Sequence, residues 1–151
     1  MAINVSFVRL EMVREPAHRY NLKTRTIHGP EDADQAAREI LKLDRQAQEV
    51  FAIFMLDTKN HITAVQEITR GSVNASIVHP REVFKAAVMA NATSIICFHN
   101  HPSGNPNPSR EDLSVTDRLV KAGRILDIPV LDHVIIGEPG SFVSLKERGM
   151  M

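Results

Sequence analysis

Between residues 99 and 112 the chain reads HNHPSGNPNPSRED. This stretch concentrates its chemistry: two histidines flanking one residue, a serine, and an aspartate eleven positions after the second histidine. His99 and His101 follow the apolar run SIICF. Side chains alternate across a strand, so residues at i and i+2 leave the same face with roots roughly 6.5 Å apart, close enough for two imidazoles to meet at one ion. Pro102, Gly104, Pro106 and Pro108 make the following loop turn tightly, and such a turn can return Asp112 toward the histidines. Two neutral imidazoles and a carboxylate form a zinc ligand set whose fourth position stays open to water, as in catalytic rather than structural sites. Zinc lowers the pKa of bound water to about 7, and a nearby carboxylate completes its activation. Glu67, in the strand-like ITAVQEIT, is the candidate, because an acid within a strand is costly unless it has work or a partner.

Each feature also has a plainer explanation, and the residues alone leave both open. His99 and His101 fit a polar strand end. Ser109 and Asp112 fit a capping box, Ser-x-x-Asp ahead of an apolar run, with Ser109 at the N-cap and Asp112 at N3. Ser109 is able to cap while Asp112 ligates. Glu67 fits a solvated acid on an edge strand, sharing a face with Thr63, Val65 and Thr69. Cys97 shares the strand face of the histidines, but positions 97 and 101 lie roughly 13 Å apart along a strand, too far to converge, so it reads as core. His18, His28, His61 and His79 read as solvated, and His133 as a structural histidine near a sheet end. The contiguous letters His-Asn-His do not make an HNH nuclease, and the H-x-E with P-C-x-x-C signature of zinc deaminases is absent.

The elements that must position these groups follow from apolar periodicity. Residues 3–13 alternate loosely and suggest an opening strand; 15–30, with Pro16, Gly29 and Pro30, suggest a loop; 31–49 suggest a helix with Ala33, Ala36, Ala37, Ile40 and Leu41 inward. VFAIFMLD (50–57) and HITAVQEIT (61–69) read as an antiparallel hairpin. Gly71 and Asn74 mark a loop, 81–92 a helix, and 93–99 a buried strand. Residues 109–127 read as a helix with Leu113, Thr116, Leu119, Val120 and Ile125 inward, interrupted by Gly123 near its end. VLDHVIIG (130–137) and SFVSL (141–145) complete the strands. The order predicts one α/β or α+β domain, a mixed sheet flanked by helices, with 1–49 as a strand, loop and helix extension of a domain spanning 50–151.

The chain has 151 residues, enough for one domain with a substantial core. Eighteen basic residues balance eighteen acidic ones, so there is no strong electrostatic footprint for nucleic acid or an anionic membrane. Trp is absent, which argues against stacking platforms for single strands. One cysteine rules out an internal disulfide and a multi-cysteine zinc knot. The N-terminal residues do not form a signal peptide, and no apolar run approaches the roughly 20 residues of a membrane span, so a cytoplasmic location is expected.

His99, His101, Ser109 and Asp112, at the spacing H-x-H-x7-S-x-x-D, together with an upstream glutamate, resemble the JAMM (MPN) metalloprotease motif. The flanks LDTKNHI, GSVNASIVHPREVFKAA and LDHVIIG are similar to the RadC-like branch, and the resemblance covers about residues 50–148. It implies a cytidine-deaminase-like α/β fold, zinc held by His99, His101 and Asp112, Glu67 as general base, and Ser109 hydrogen-bonding the developing oxyanion of a peptide or protein substrate. The helix-hairpin-helix portion associated with DNA in full-length RadC-like proteins is not legible in 1–49, which weakens a DNA-repair reading; a non-catalytic DNA-repair or maintenance module is the alternative to a peptidase or isopeptidase.

Overall fold

A computed structural model describes residues 1–15, 18–73 and 77–151. Pro16 and Asn74, expected in loops, lie outside the described residues. Among the described residues, five strands form one mixed sheet. β1 (Glu49–Leu56) and β2 (Ile62–Gly71) make the expected antiparallel hairpin, and β3 (Ser94–Asn100), β4 (Val130–Ile136) and β5 (Phe142–Ser144) complete the order β2-β1-β3-β4-β5. β3 runs antiparallel to β1 and parallel to β4. Strands β1 and β3 are buried almost throughout, as their continuous apolar runs require of strands covered on both faces.

Three helices supply the cover: α1 (Pro30–Leu41), α2 (Pro80–Met89) and α3 (Arg110–Leu126). On one face, Ala33, Ala36 and Ala37 of α1 pack on Ala52, Phe54 and Phe98. On the other, Val83, Phe84 and Ala87 of α2 and Val115 and Leu119 of α3 pack on Phe51, Ile53 and Cys97. Three alanines on α1 let its backbone approach the sheet closely, so the helix is built into the core. Its first half is pinned by Pro30, whose missing N–H falls where a helix has no acceptor to offer.

Several expectations change. Residues 3–13 form no strand: they adopt no regular element, and Ile3, Val5 and Phe7 stand exposed. An alternating segment becomes a strand only when an edge accepts its backbone groups, and neither sheet edge takes this one. The first helix stops at Leu41, not Glu49; Lys42 takes a left-handed conformation at φ 53° and a short 3₁₀ turn, Leu43–Arg45, follows. Glu49 therefore opens β1. Ile125 points to solvent, while Gly123 continues the helix instead of interrupting it. A Cβ at Gly123 would lie 2.6 Å from the backbone oxygen of Ile128, so the glycine permits the tight exit from α3 into β4.

Candidate metal centre

Strand alternation brings His99 and His101 out on the α2/α3 face at the end of β3, where His101 continues the strand and donates its N–H to Ile136 O at 2.9 Å. Asn100, between them, points to the opposite face. There its Oδ1 accepts from Val50 N at 2.8 Å and its amide donates to Gln48 O at 3.0 Å, which ties the start of β1 to the end of β3. The following loop folds back through Gly104, at φ +84°, and its carbonyl accepts from Glu138 N at 2.9 Å. A Cβ at Gly137 would lie 2.4 Å from Gly104 O, so a glycine there is a condition of this packing.

The loop delivers Ser109 to the N-cap of α3. Ser109 Oγ accepts from Asp112 N at 3.1 Å, and Ser109 N donates to Asp112 Oδ2 at 2.6 Å, a complete capping box. The cap and the cluster share one carboxylate: Asp112 Oδ1 lies 3.0 Å from His99 Nε2, and Oδ2 lies 3.3 Å from His101 Nε2. His99 Nε2 and His101 Nε2 are 2.9 Å apart. One ligating atom from each of His99, His101 and Asp112 falls within 4.8 Å of the others.

Proton placement tests whether a cation suits this cluster. His101 Nδ1 lies 2.8 Å from the carbonyl oxygen of Asn105, which only accepts, so Nδ1 carries the hydrogen. Neutral His101 then turns the lone pair of Nε2 toward a carboxylate and another imidazole. A proton or a metal ion converts that repulsion into attraction. The hydrogen bond that protonated His101 donates to the Asp112 carboxylate raises the His101 pKa, outweighing burial. Burial alone would raise the Asp112 carboxyl, but its close contacts with the His101 and His99 rings and the hydrogen bond donated by Ser109 N hold it far below the usual carboxylate range. Two imidazoles and an ionised carboxylate suit zinc, so the residues present fit the ion. Burial pushes the Cys97 thiol far up, which suits core rather than ligand or nucleophile.

Glu67 does not join the cluster. A bulge in β2 sets Thr69 opposite Phe51 and Glu67 opposite Ala52. Phe51 pairs with His99, so Thr69 shares the histidine face while Glu67 projects from the other. Its carboxylate is held by Arg70, with two contacts of 2.8 Å. The acid the structure supplies is Glu49. Extending the antiparallel pairing beyond Phe51 and His99 by two residues sets Glu49 beside His101 on the same face. Glu49 acts electrostatically on His101, and its Oε2 accepts from Val73 N at 3.0 Å. The legible signal was an acid at the threshold of the buried run VFAIFML, but its relevance depends on which strand neighbours β3. His133, expected to be structural, lies in direct contact with His99.

A cleft of about 280 Å³ opens beside His101, lined by Gln46, Asn100, Ser103 and Glu138 among others. An apolar groove of about 340 Å³ between α2 and α3, rimmed by Leu10, touches none of the cluster.

A mixed sheet flanked by helices, whose central strand ends in His-x-His and meets an aspartate from the next helix, defines a domain of the JAB type. The family model described as a RadC-like JAB domain matches residues 27–150, and the chain belongs to that family. It is 49% identical to a UPF0758 protein of Shouchella clausii over 140 residues, 93% of this chain and 60% of that protein. It is 51% identical to one of Caldanaerobacter subterraneus subsp. tengcongensis over 146 residues, 94% and 61% of the two chains. With one of Methanosarcina barkeri it shares 54% identity over 110 residues, 73% and 48%. The chain thus spans about 60% of the length of the first two relatives. Among the described residues, no helix is long and apolar enough to cross a membrane.

Proposed function

We propose that this chain is a zinc-dependent hydrolase of amide bonds, a peptidase or isopeptidase acting on a peptide or protein substrate. The observation that carries the proposal is the convergence of His99, His101 and Asp112 ligating atoms within 4.8 Å of one another. His99, His101 and Asp112 would hold a zinc ion, which when bound would supply Lewis-acid polarisation of a substrate carbonyl and a lowered water pKa. Glu49, beside His101, is the carboxylate placed to take a proton from the attacking water and return it to the leaving amine. The Ser109 hydroxyl spends a lone pair on the cap and keeps its hydrogen, which is available to a developing oxyanion. The cleft lies next to His101. A cytoplasmic setting belongs to this proposal, since the single buried thiol needs no oxidising compartment.

Elemental analysis of purified protein tests it, followed by a peptide-library screen. About one zinc per chain is expected in wild type and none in a His99→Ala, His101→Ala double variant. Asp112→Asn should lose zinc as well; unchanged zinc in that variant would remove the ligand assignment. A zinc-loaded wild type that cleaves nothing in the library would argue against the hydrolase.

A further inference from the structure

Behind the cluster runs a buried chain of hydrogen bonds that no proposed ligand or base accounts for. His99 Nδ1 lies 2.8 Å from His133 Nε2, His133 Nδ1 lies 2.6 Å from Thr116 Oγ1, and Thr116 Oγ1 lies 2.7 Å from the carbonyl oxygen of Asp112. His99 and His133 are wholly buried and Thr116 almost so. The links come from three elements: His99 is the penultimate residue of β3, His133 sits on β4, and Thr116 lies one turn into α3 from Asp112.

The direction of each bond follows from the last link. A carbonyl oxygen only accepts, so the Thr116 hydroxyl donates its one hydrogen to Asp112 O. That hydroxyl then has only a lone pair for His133, and the hydrogen between them must sit on His133 Nδ1. The two hydrogen-bond partners of the His133 ring, Thr116 and His99, carry no negative charge, and a buried ring protonated at both nitrogens without an anionic partner is costly, so its Nε2 carries a lone pair. The hydrogen between the two rings therefore belongs to His99 Nδ1, and His99 Nε2 is left with a lone pair facing His101 and Asp112.

We infer that Thr116 and His133 are positioning residues that fix the tautomer of His99, so that its Nε2 is presented to the cluster as a ready ligand. The inference rests on the reading of His99, His101 and Asp112 as a zinc site. Asp112 is tied in twice, because its side chain joins the cluster while its carbonyl anchors the chain behind it. Partners of this kind orient ligating imidazoles, and their loss weakens metal binding 10- to 100-fold.

Long-range ¹H–¹⁵N correlation on histidine rings reads the tautomer directly, in zinc-stripped and in zinc-loaded protein. Wild type should show His99 as the Nδ1–H form in both. Thr116→Val, near in shape but without the hydroxyl, should give a mixed His99 tautomer and a zinc affinity lower by about 10- to 100-fold in chelator competition, and Thr116→Ser should restore both. A His99 Nε2–H form in zinc-stripped wild type overturns the inference, and so does a Thr116→Val protein with unchanged tautomer and affinity. If wild type binds no zinc, the metal proposal fails, while the ring spectrum of the same sample still decides the tautomer. A poorly folded Thr116→Val protein leaves the wild-type spectrum to decide.

Discussion

His101 donates its Nδ1–H to the carbonyl of Asn105 across 2.8 Å, and this contact dictates which nitrogen of the ring faces Asp112. A loop residue four positions downstream thus sets which nitrogen of His101 the cluster receives. A pH dependence follows. The hydrogen bond that protonated His101 donates to Asp112 raises the His101 pKa in chelator-treated protein. Because the folded value is raised, protonation of His101 stabilises that fold fully below the ordinary imidazole pKa, and the contribution disappears as pH rises through the raised value. Zinc affinity runs the other way: above the raised pKa the ring is neutral, and below it each ion must displace a proton. Affinity should fall about tenfold per pH unit as pH drops through that range. Chelator competition at a series of pH values checks it, and a flat profile would exclude His101 as a ligand.

Glu49 and Glu67 are separated by one substitution each. Glu49→Gln should leave zinc content unchanged and slow hydrolysis by about 10²- to 10⁴-fold, the range for losing a general base. Glu67→Gln should change neither, because its carboxylate faces the other side of the sheet and serves an exposed pair with Arg70. Steady-state kinetics on any peptide found in the screen tests both. The reverse pattern would restore Glu67 as base and exclude Glu49.

The two roles of Ser109 come apart through the N-cap scale. Ser109→Ala removes cap and hydroxyl together and should cost about 1 kcal/mol of stability, whereas Ser109→Gly should cost only about a few tenths. If the hydroxyl also serves an oxyanion, both variants should lose about 10²-fold in kcat with zinc retained. Thermal melts and kinetics together decide; Ser109→Gly with full turnover would leave Ser109 as a cap alone.

Arg38 links α1 to the turn that backs the site loop. Its guanidinium donates to the carbonyls of Gly137 (3.4 Å), Glu138 (3.2 Å) and Ser141 (2.8 Å), and it pairs with Asp34 at 2.8 Å. That turn in turn holds Gly104 through Glu138 N. Arg38→Met should cost about 2 kcal/mol, the scale for hydrogen bonds to a charged group, read by denaturant unfolding. Hydrogen exchange should rise at Glu138 and Gly104 in the same protein. Unchanged exchange there would show that the turn holds itself.

Local geometry made the cluster of His99, His101 and Asp112 legible in the sequence. His99 and His101 share a face because strands alternate, and Asp112 sits at N3 because Ser109 starts a helix; neither inference requires knowing which elements are neighbours. The hairpin, the buried runs of β1 and β3, and the helices α2 and α3 followed from periodicity in the same way. Tertiary structure decided what depends on adjacency. Which acid reaches His101 was settled by β1 lying beside β3 and by the bulge that turns Glu67 to the far face. The chain from His99 to His133 and Thr116 exists because β4 pairs in parallel with β3 and α3 packs over both, joining residues 34 and 17 positions apart. Residues 3–13 carry a strand's alternation, but a strand is stabilised by the neighbour that takes its backbone hydrogen bonds, and whether a neighbour is present is a property of the whole fold.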